Sequence, residues 1–135
     1  MNEPIEVWID GASRGNPGKA GAGALILDDS GKQIKRISEY LGNNLTNNQA
    51  EYNALIEALK YCKGSNFNIL KIFSDSELLV KQMKEEYSVN SGNIKPLFEK
   101  AKNLEKSFDK VIFEHIERSK NEEADELANK AIDDK

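Results

Sequence analysis

Residues 5–27 read IEVWIDGASRGNPGKAGAGALIL, and the rest of the chain is organised around them. Ile5, Val7 and Ile9 recur at every second position, the period of a half-buried strand, and that strand delivers Asp10 at its end. A loop dense in Gly, Asn and Pro follows (Gly11, Gly15, Asn16, Pro17, Gly18), and Gly21-Ala22-Gly23-Ala24 then leads into a second apolar run. Glycines this close together let a backbone turn tightly and approach a ligand. A carboxylate beside such a loop suggests a metal or phosphate site at the edge of a sheet. Taken alone, the stretch is more simply a hairpin with an exposed Asp. Three later acids, each at the start of an element, shift the balance.

The remaining chain reads as alternating strands and helices. Residues 23–28 form a second strand, Asp28-Asp29-Ser30-Gly31 a tight turn, and residues 32–41 the antiparallel partner, so a three-stranded meander opens the chain. Thr46-Asn47-Asn48-Gln49 matches a capping box and starts a helix that runs to about residue 62, with Ala50, Ala54, Leu55, Ala58, Leu59 and Cys62 on its apolar face. Glu51 stands in its first turns, where an acid also complements the helix dipole.

Residues 68–74 form a strand that ends at Ser74-Asp75-Ser76, and residues 77–86 a helix with Leu78, Leu79, Gln82 and Met83 turned inward. Asp75 is a strand-end acid where open α/β sheets bind ligands, or else only a helix cap. The next helix carries Leu97, Ala101, Leu104 and Phe108 at core spacing, with Lys95, Lys100, Lys102 and Lys106 as a solvated face. Residues 111–116 form the last strand, and Asn121 caps a final helix bearing Asp125. The order is β-β-β-α-β-α-α-β-α, one mixed α/β domain over residues 1–135.

Composition narrows the function classes. A chain of 135 residues with 39% hydrophobic and 31% charged content builds a core without disulfides. The single Cys62 fits a reducing compartment, and no apolar run spans a membrane, so a cytoplasmic location is expected. A net charge of −4 argues against nonspecific capture of nucleic acid, yet acids gathered at a metal site count toward that total and are offset by bound cations.

If the first and fourth strands are neighbours, Asp10 and Asp75 emerge side by side, and Glu51 and Asp125 reach in from two helix starts. Carboxylates gathered without Lys or Arg partners raise one another's pKa and are costly unless divalent cations neutralise them. Oxygen ligands without a Cys or His pair favour Mg²⁺ or Mn²⁺ over Zn²⁺. The one histidine, His115, lies in a strand and reads as structural. Carboxylate-held ion pairs, typically about 3.5–4 Å apart, serve phosphodiester hydrolysis.

The motifs themselves resemble a known family, ribonuclease H of type 1, through nearly the whole chain. They are Asp10-Gly11-Ala12-Ser13 with Gly15-Asn16-Pro17-Gly18, Thr46-Asn47-Asn48-Gln49-Ala50-Glu51, Ser74-Asp75-Ser76, and Asn121-Glu122-Glu123-Ala124-Asp125-Glu126-Leu127-Ala128. The resemblance implies a five-stranded mixed sheet of order 3-2-1-4-5 with helices on both faces. It implies hydrolysis of the RNA strand of RNA–DNA hybrids, leaving 5′-phosphate and 3′-hydroxyl ends. By motif position Asp10 would bridge two ions, with Glu51 and Asp75 completing one coordination shell and Asp125 the other. Asn16, Asn48 and Gln49 resemble hybrid-groove contacts and Thr46 the phosphate-pocket hydroxyl, with Gly11, Ser13 and Ser76 counted among the substrate contacts. A monomer is expected.

The chain departs from many bacterial members in two places. The basic handle is absent, since Tyr87-Ser88-Val89-Asn90-Ser91-Gly92 runs straight into the next helix. Arg118 stands where those members carry a loop His assigned to proton transfer or product release; an arginine can hold a phosphate but not act as a base, and it is otherwise a loop charge. The pattern is similar to the short subgroup of archaeal and reverse-transcriptase-associated domains. Some of that subgroup also cut double-stranded RNA, which leaves the substrate open. Two rival readings remain: a catalytically silent hybrid-binding module, and a nuclease acting on DNA or double-stranded RNA.

Overall fold

The computed structural model describes residues 4–135. β1 (Ile5–Arg14), β2 (Gly18–Leu27) and β3 (Gln33–Leu45) form the meander, and β4 (Ile69–Ser74) and β5 (Lys110–His115) complete a sheet of order β3-β2-β1-β4-β5. β1 is antiparallel to β2 and parallel to β4, and β4 is parallel to β5, so the acid-bearing strand is central. The order matches the expected 3-2-1-4-5.

Period-2 alternation divides the sheet into two apolar faces. Val7, Ile9, Ala22, Ala24, Ile26, Leu70 and Ile72 pack into the main core with α1 (Asn47–Gly64) and with Ala101 of α3 (Lys95–Glu105). The other face receives α4 (Glu122–Asp133), which lies chiefly on β2 and β3. Trp8 stacks on Phe73 across the neighbouring strands of that face, ring centroids 4.2 Å apart.

The glycines of the opening stretch do different work from that expected. Instead of a loop over residues 11–18, β1 continues to Arg14 and β2 begins at Gly18. Asp10 therefore lies within a strand, opposite Gly23, and not at its end. A Cβ at Gly23 would stand 2.3 Å from the Ala124 carbonyl oxygen, and one at Gly21 would stand 2.2 Å from that of Ala128. A Cβ at Gly11 would stand 2.3 Å from the Glu51 nitrogen. These glycines admit helix backbones, not a ligand: α4 and the start of α1 settle directly onto the sheet.

Other expectations need correction. α2 (Glu77–Met83) stops short of residue 86, the chain turning out through Glu85 at φ 62°. Leu78 is exposed and Val80 takes the inward place beside Leu79, Gln82 and Met83. Phe108 is buried beyond the end of α3 instead of on it. Lys102 is no solvated lysine: its Nζ donates to the Met83 carbonyl at 3.0 Å and pairs with Glu85 and Glu105, closing the end of α2. His115 is exposed at the end of β5 and plays no part in the core. Cys62 is buried, as its helical position implied, and burial pushes its thiol up to about 12. Between α2 and α3 only turns intervene, so no handle is present, and no helix among the described residues is long and apolar enough to cross a membrane.

Candidate active site

Asp10 on β1, Glu51 in the first turns of α1 and Asp75 just past β4 offer carboxylate oxygens that all lie within 4.8 Å of one another. Asp125, one turn into α4, is outside that trio but touches the Asp10 carboxyl and lines the same cleft of about 340 Å³. Asp10 and Glu51 are buried, whereas Asp75 and Asp125 are half-buried. None of the four forms an ion pair among the described residues.

Such a cluster resists ionisation. Burial, the charge of Asp75 and the contact with Asp125 push Asp10 from 3.8 up to about 8. Burial and then the charges of Asp10 and Asp75 hold Glu51 well above the carboxylate range, against the Gly11 backbone N–H, which favours its charged form. One Glu51 oxygen, Oε2, is buried with no hydrogen-bond partner. A buried acceptor left unpaired beside two further acids is what a divalent cation would satisfy, so the donor set fits a hard metal.

The neighbouring polar residues hold the strands and helices that carry these acids. Thr46 and Gln49 form the expected capping box, at 3.1 and 2.8 Å, which fixes the start of α1 and with it Glu51. The β1–β2 turn is tied to the same helix: the Asn16 Oδ1 accepts from Asn47 N–H at 2.9 Å, and Asn47 Oδ1 accepts from Ser13 N–H at 2.9 Å. The Ser13 hydroxyl donates to the Leu45 carbonyl, and the Ser76 hydroxyl caps α2 directly after Asp75. Asn48 is exposed beside the cap. Gly11, Ser13 and the exposed Arg118 line the cleft with the acids, whereas Asn16, Thr46, Asn48, Gln49 and Ser76 flank it on its supporting elements.

Sequence reasoning missed part of the site. Arg14, Asn47 and Asn129 also line the cleft. Asn129 stands four residues after Asp125 on one ridge of a helix, a spacing that could have flagged it. Asn121 is not the expected side-chain cap of α4. It is buried, and its Nδ2 donates to the Ile9 carbonyl at 2.8 Å and to Asp75 Oδ2 at 3.3 Å. It thus ties the start of α4 to β1 and to Asp75.

Comparison with known proteins agrees with this arrangement. Residues 9–131 match the family model described as reverse transcriptase-like. The crystal structure of RNase H1 from the halophilic archaeon Halobacterium salinarum matches at a TM-score of 0.94 and 36% identity, covering 98% of this chain and 99% of that one. The chain belongs to the type 1 ribonuclease H family. LC11-RNase H1, solved in complex with an RNA/DNA hybrid, is another ribonuclease H relative, at a TM-score of 0.90 and 39% identity over 96% of this chain and 97% of that one. The curated Halobacterium salinarum ribonuclease HI is 37% identical over 96% of this chain but only 65% of its own length. The bifunctional protein Rv2228c of Mycobacterium tuberculosis is 35% identical over 96% of this chain and 35% of its own length. Against these curated ribonuclease H relatives the chain therefore spans about two-thirds of one and a third of the other.

Proposed function

We propose that this chain is a metal-dependent ribonuclease H that hydrolyses the RNA strand of RNA–DNA hybrids to 5′-phosphate and 3′-hydroxyl ends. The observation that carries the reading is the convergence of Asp10, Glu51 and Asp75 within 4.8 Å, with Asp125 against Asp10, in a cleft where no cation among the described residues pairs with them. A relative solved with an RNA/DNA hybrid supports the substrate class.

Asp10, Glu51, Asp75 and Asp125 would hold two Mg²⁺ or Mn²⁺ ions. Bound there, the ions would supply an activated water and stabilise the departing 3′ oxygen of an in-line displacement. The chain itself contributes placement and charge. Arg118, exposed on the rim, is positioned to hold a substrate phosphate as a fixed cation. Asn48 and the amide of Gln49 would contact the sugar edge from the α1 side, where a 2′-hydroxyl serves as both donor and acceptor. Asn16, Thr46, Ser13, Gly11 and Ser76 complete the substrate surface. The protein acts as a cytoplasmic monomer and needs no membrane.

Cleavage of one labelled RNA strand tests the reading, with the strand paired to DNA, paired to RNA, or single. Each setting is run with Mg²⁺, Mn²⁺ or chelator. Metal-dependent cutting of the hybrid is expected, and the RNA–RNA lane sets the breadth of specificity. Hybrid binding without cutting in any lane would instead make the chain a silent binding module.

A further inference from the structure

Asp125 differs from its three partners in being braced through a chain of side chains from the far end of β1. Arg14, the last residue of β1, reaches across to α4. Its Nη1 donates to Asp133 Oδ1 at 2.5 Å, and its Nη2 to Asn129 Oδ1 at 3.1 Å and to the Asn129 carbonyl at 3.4 Å. Asn129 Nδ2 in turn donates to Asp125 Oδ1 at 3.2 Å and to the Asp125 carbonyl at 3.0 Å. Asp125, Asn129 and Asp133 are spaced four apart, so they form one ridge of the helix.

The chemistry of each group fixes the direction of this chain. A guanidinium has only donors and an ionised carboxylate only acceptors. An amide between them is satisfied in one orientation alone, with its oxygen toward Arg14 and its nitrogen toward Asp125. Rotated by half a turn, it would set oxygen against carboxylate and nitrogen against guanidinium. Arg14 therefore selects the orientation in which Asn129 offers Asp125 a donor. Partners of this kind orient a metal ligand and raise its effectiveness.

We propose that Asn129, held in one amide orientation by Arg14, is a positioning residue that presents Asp125 for cation binding on the α4 side of the cleft. The inference rests on the reading of Asp125 as a ligand. The Glu51 and Asp75 side gets its order from β-strand ends and the capping box, and it does not use this chain of contacts.

The test is Mn²⁺ calorimetry on the substrate-free protein, alongside hybrid cleavage kinetics and thermal unfolding. The variants are Asn129→Leu, Asn129→Asp, Arg14→Leu and the Arg14→Leu/Asn129→Leu double. Asn129→Leu removes the donor without adding charge, whereas Asn129→Asp keeps the shape and a partner for Arg14 but sets a further carboxylate against Asp125. Asn129→Leu should weaken the lower-affinity Mn²⁺ event about 10-fold or more, and both Asn129 variants should lower kcat about 10–100-fold, with KM and the tighter event unchanged. Arg14→Leu should weaken the same Mn²⁺ event less, and the double variant should match Asn129→Leu, because Arg14 acts through Asn129. Normal weak-site affinity and kcat in a folded Asn129→Leu would overturn the proposal, as would fully additive losses in the double variant. If the wild-type protein cuts no hybrid but the Mn²⁺ shifts appear as described, the ribonuclease reading fails and the positioning role stands.

Discussion

The two flanks of Asp10 are built by different means. On one side Glu51 and Asp75 stand on α1 and at the end of β4, close to the main core, with their carboxylates drawn together within 4.8 Å. On the other, Asp125 is carried by α4, which meets the sheet across glycines and is braced by Asn129 and Arg14. The first flank is concentrated charge on a rigid base. The second is a carboxylate braced by side chains on a closely docked helix. A site of this kind assembles one half by burial and the other by helix docking, so the two halves should fail separately.

Asp10 belongs to both flanks, and its loss should have the largest effect. Asp10→Asn should abolish hybrid cleavage and eliminate tight Mn²⁺ binding while raising metal-free stability, because it removes a buried carboxylate from among three others. Turnover close to wild type, measured with saturating Mn²⁺, would show that the two flanks are not joined through this residue.

Gly23 separates the flanks. In Gly23→Ala the new methyl meets backbone atoms of α4, 2.3 Å from Ala124 O and 2.6 Å from Ala128 N, so the helix itself must move. Overpacking of this kind should cost about 3 kcal/mol in denaturant unfolding. The weaker, α4-side metal event should be lost, and the tighter event at Asp10, Glu51 and Asp75 should persist. Equal weakening of both events would mean that the halves are one unit.

Metal-free stability should depend on pH through the first flank. Asp10 keeps its proton up to about 8 when folded but releases it near 3.8 when unfolded, so the folded form binds the extra proton between those values. Its contribution is therefore fully present below about pH 4 and lost as pH rises toward 8. Glu51, also raised, adds to the same trend. Raising pH from 5 to 8 should lower metal-free unfolding free energy by more than about 1.4 kcal/mol, the worth of one pKa unit. The slope should flatten in Asp10→Asn and vanish with saturating Mg²⁺. A metal-free Tm that holds or rises over this range would contradict the repulsive first flank.

How much of this was legible depends on how local each determinant is. Asp10, Glu51, Asp75 and Asp125 were readable because each lies in a short motif, Asp10 and Asp75 following recognisable strand patterns and Glu51 and Asp125 near recognisable helix starts. The sheet order followed from the family resemblance and the meander from alternation and turn residues. Gly21 and Gly23 were misread as ligand approach, since a glycine reveals that something comes close but not whether it is a helix. Asn121 was read as a cap because its place before a helix is a local cue, whereas its contact with Ile9 spans 112 residues. The Arg14–Asn129 contact spans 115 and left no local trace. Leu78 was misplaced because α2 has only 7 residues, too few turns to distinguish the buried stripe from its neighbour.

Asn121 is the residue that joins the flanks, and it offers the finest test of the comparison. It opens α4 yet donates to the Ile9 carbonyl, next to Asp10, and to Asp75. Asn121→Ala should remove both bonds at a cost of about 1–3 kcal/mol, the same at pH 5 and pH 8. Asn121→Asp keeps the shape but replaces the donor with a further acid beside Asp75, so its cost should exceed that of Asn121→Ala at pH 8 and shrink at pH 5. Urea unfolding at the two pH values distinguishes these cases. If the two variants behave alike at both, Asn121 merely fills space and the flanks are held together by helix docking alone. If they diverge as described, a single donated amide links the helix of Asp125 to the charge of Asp75, and the separation of the two halves is limited by that one contact.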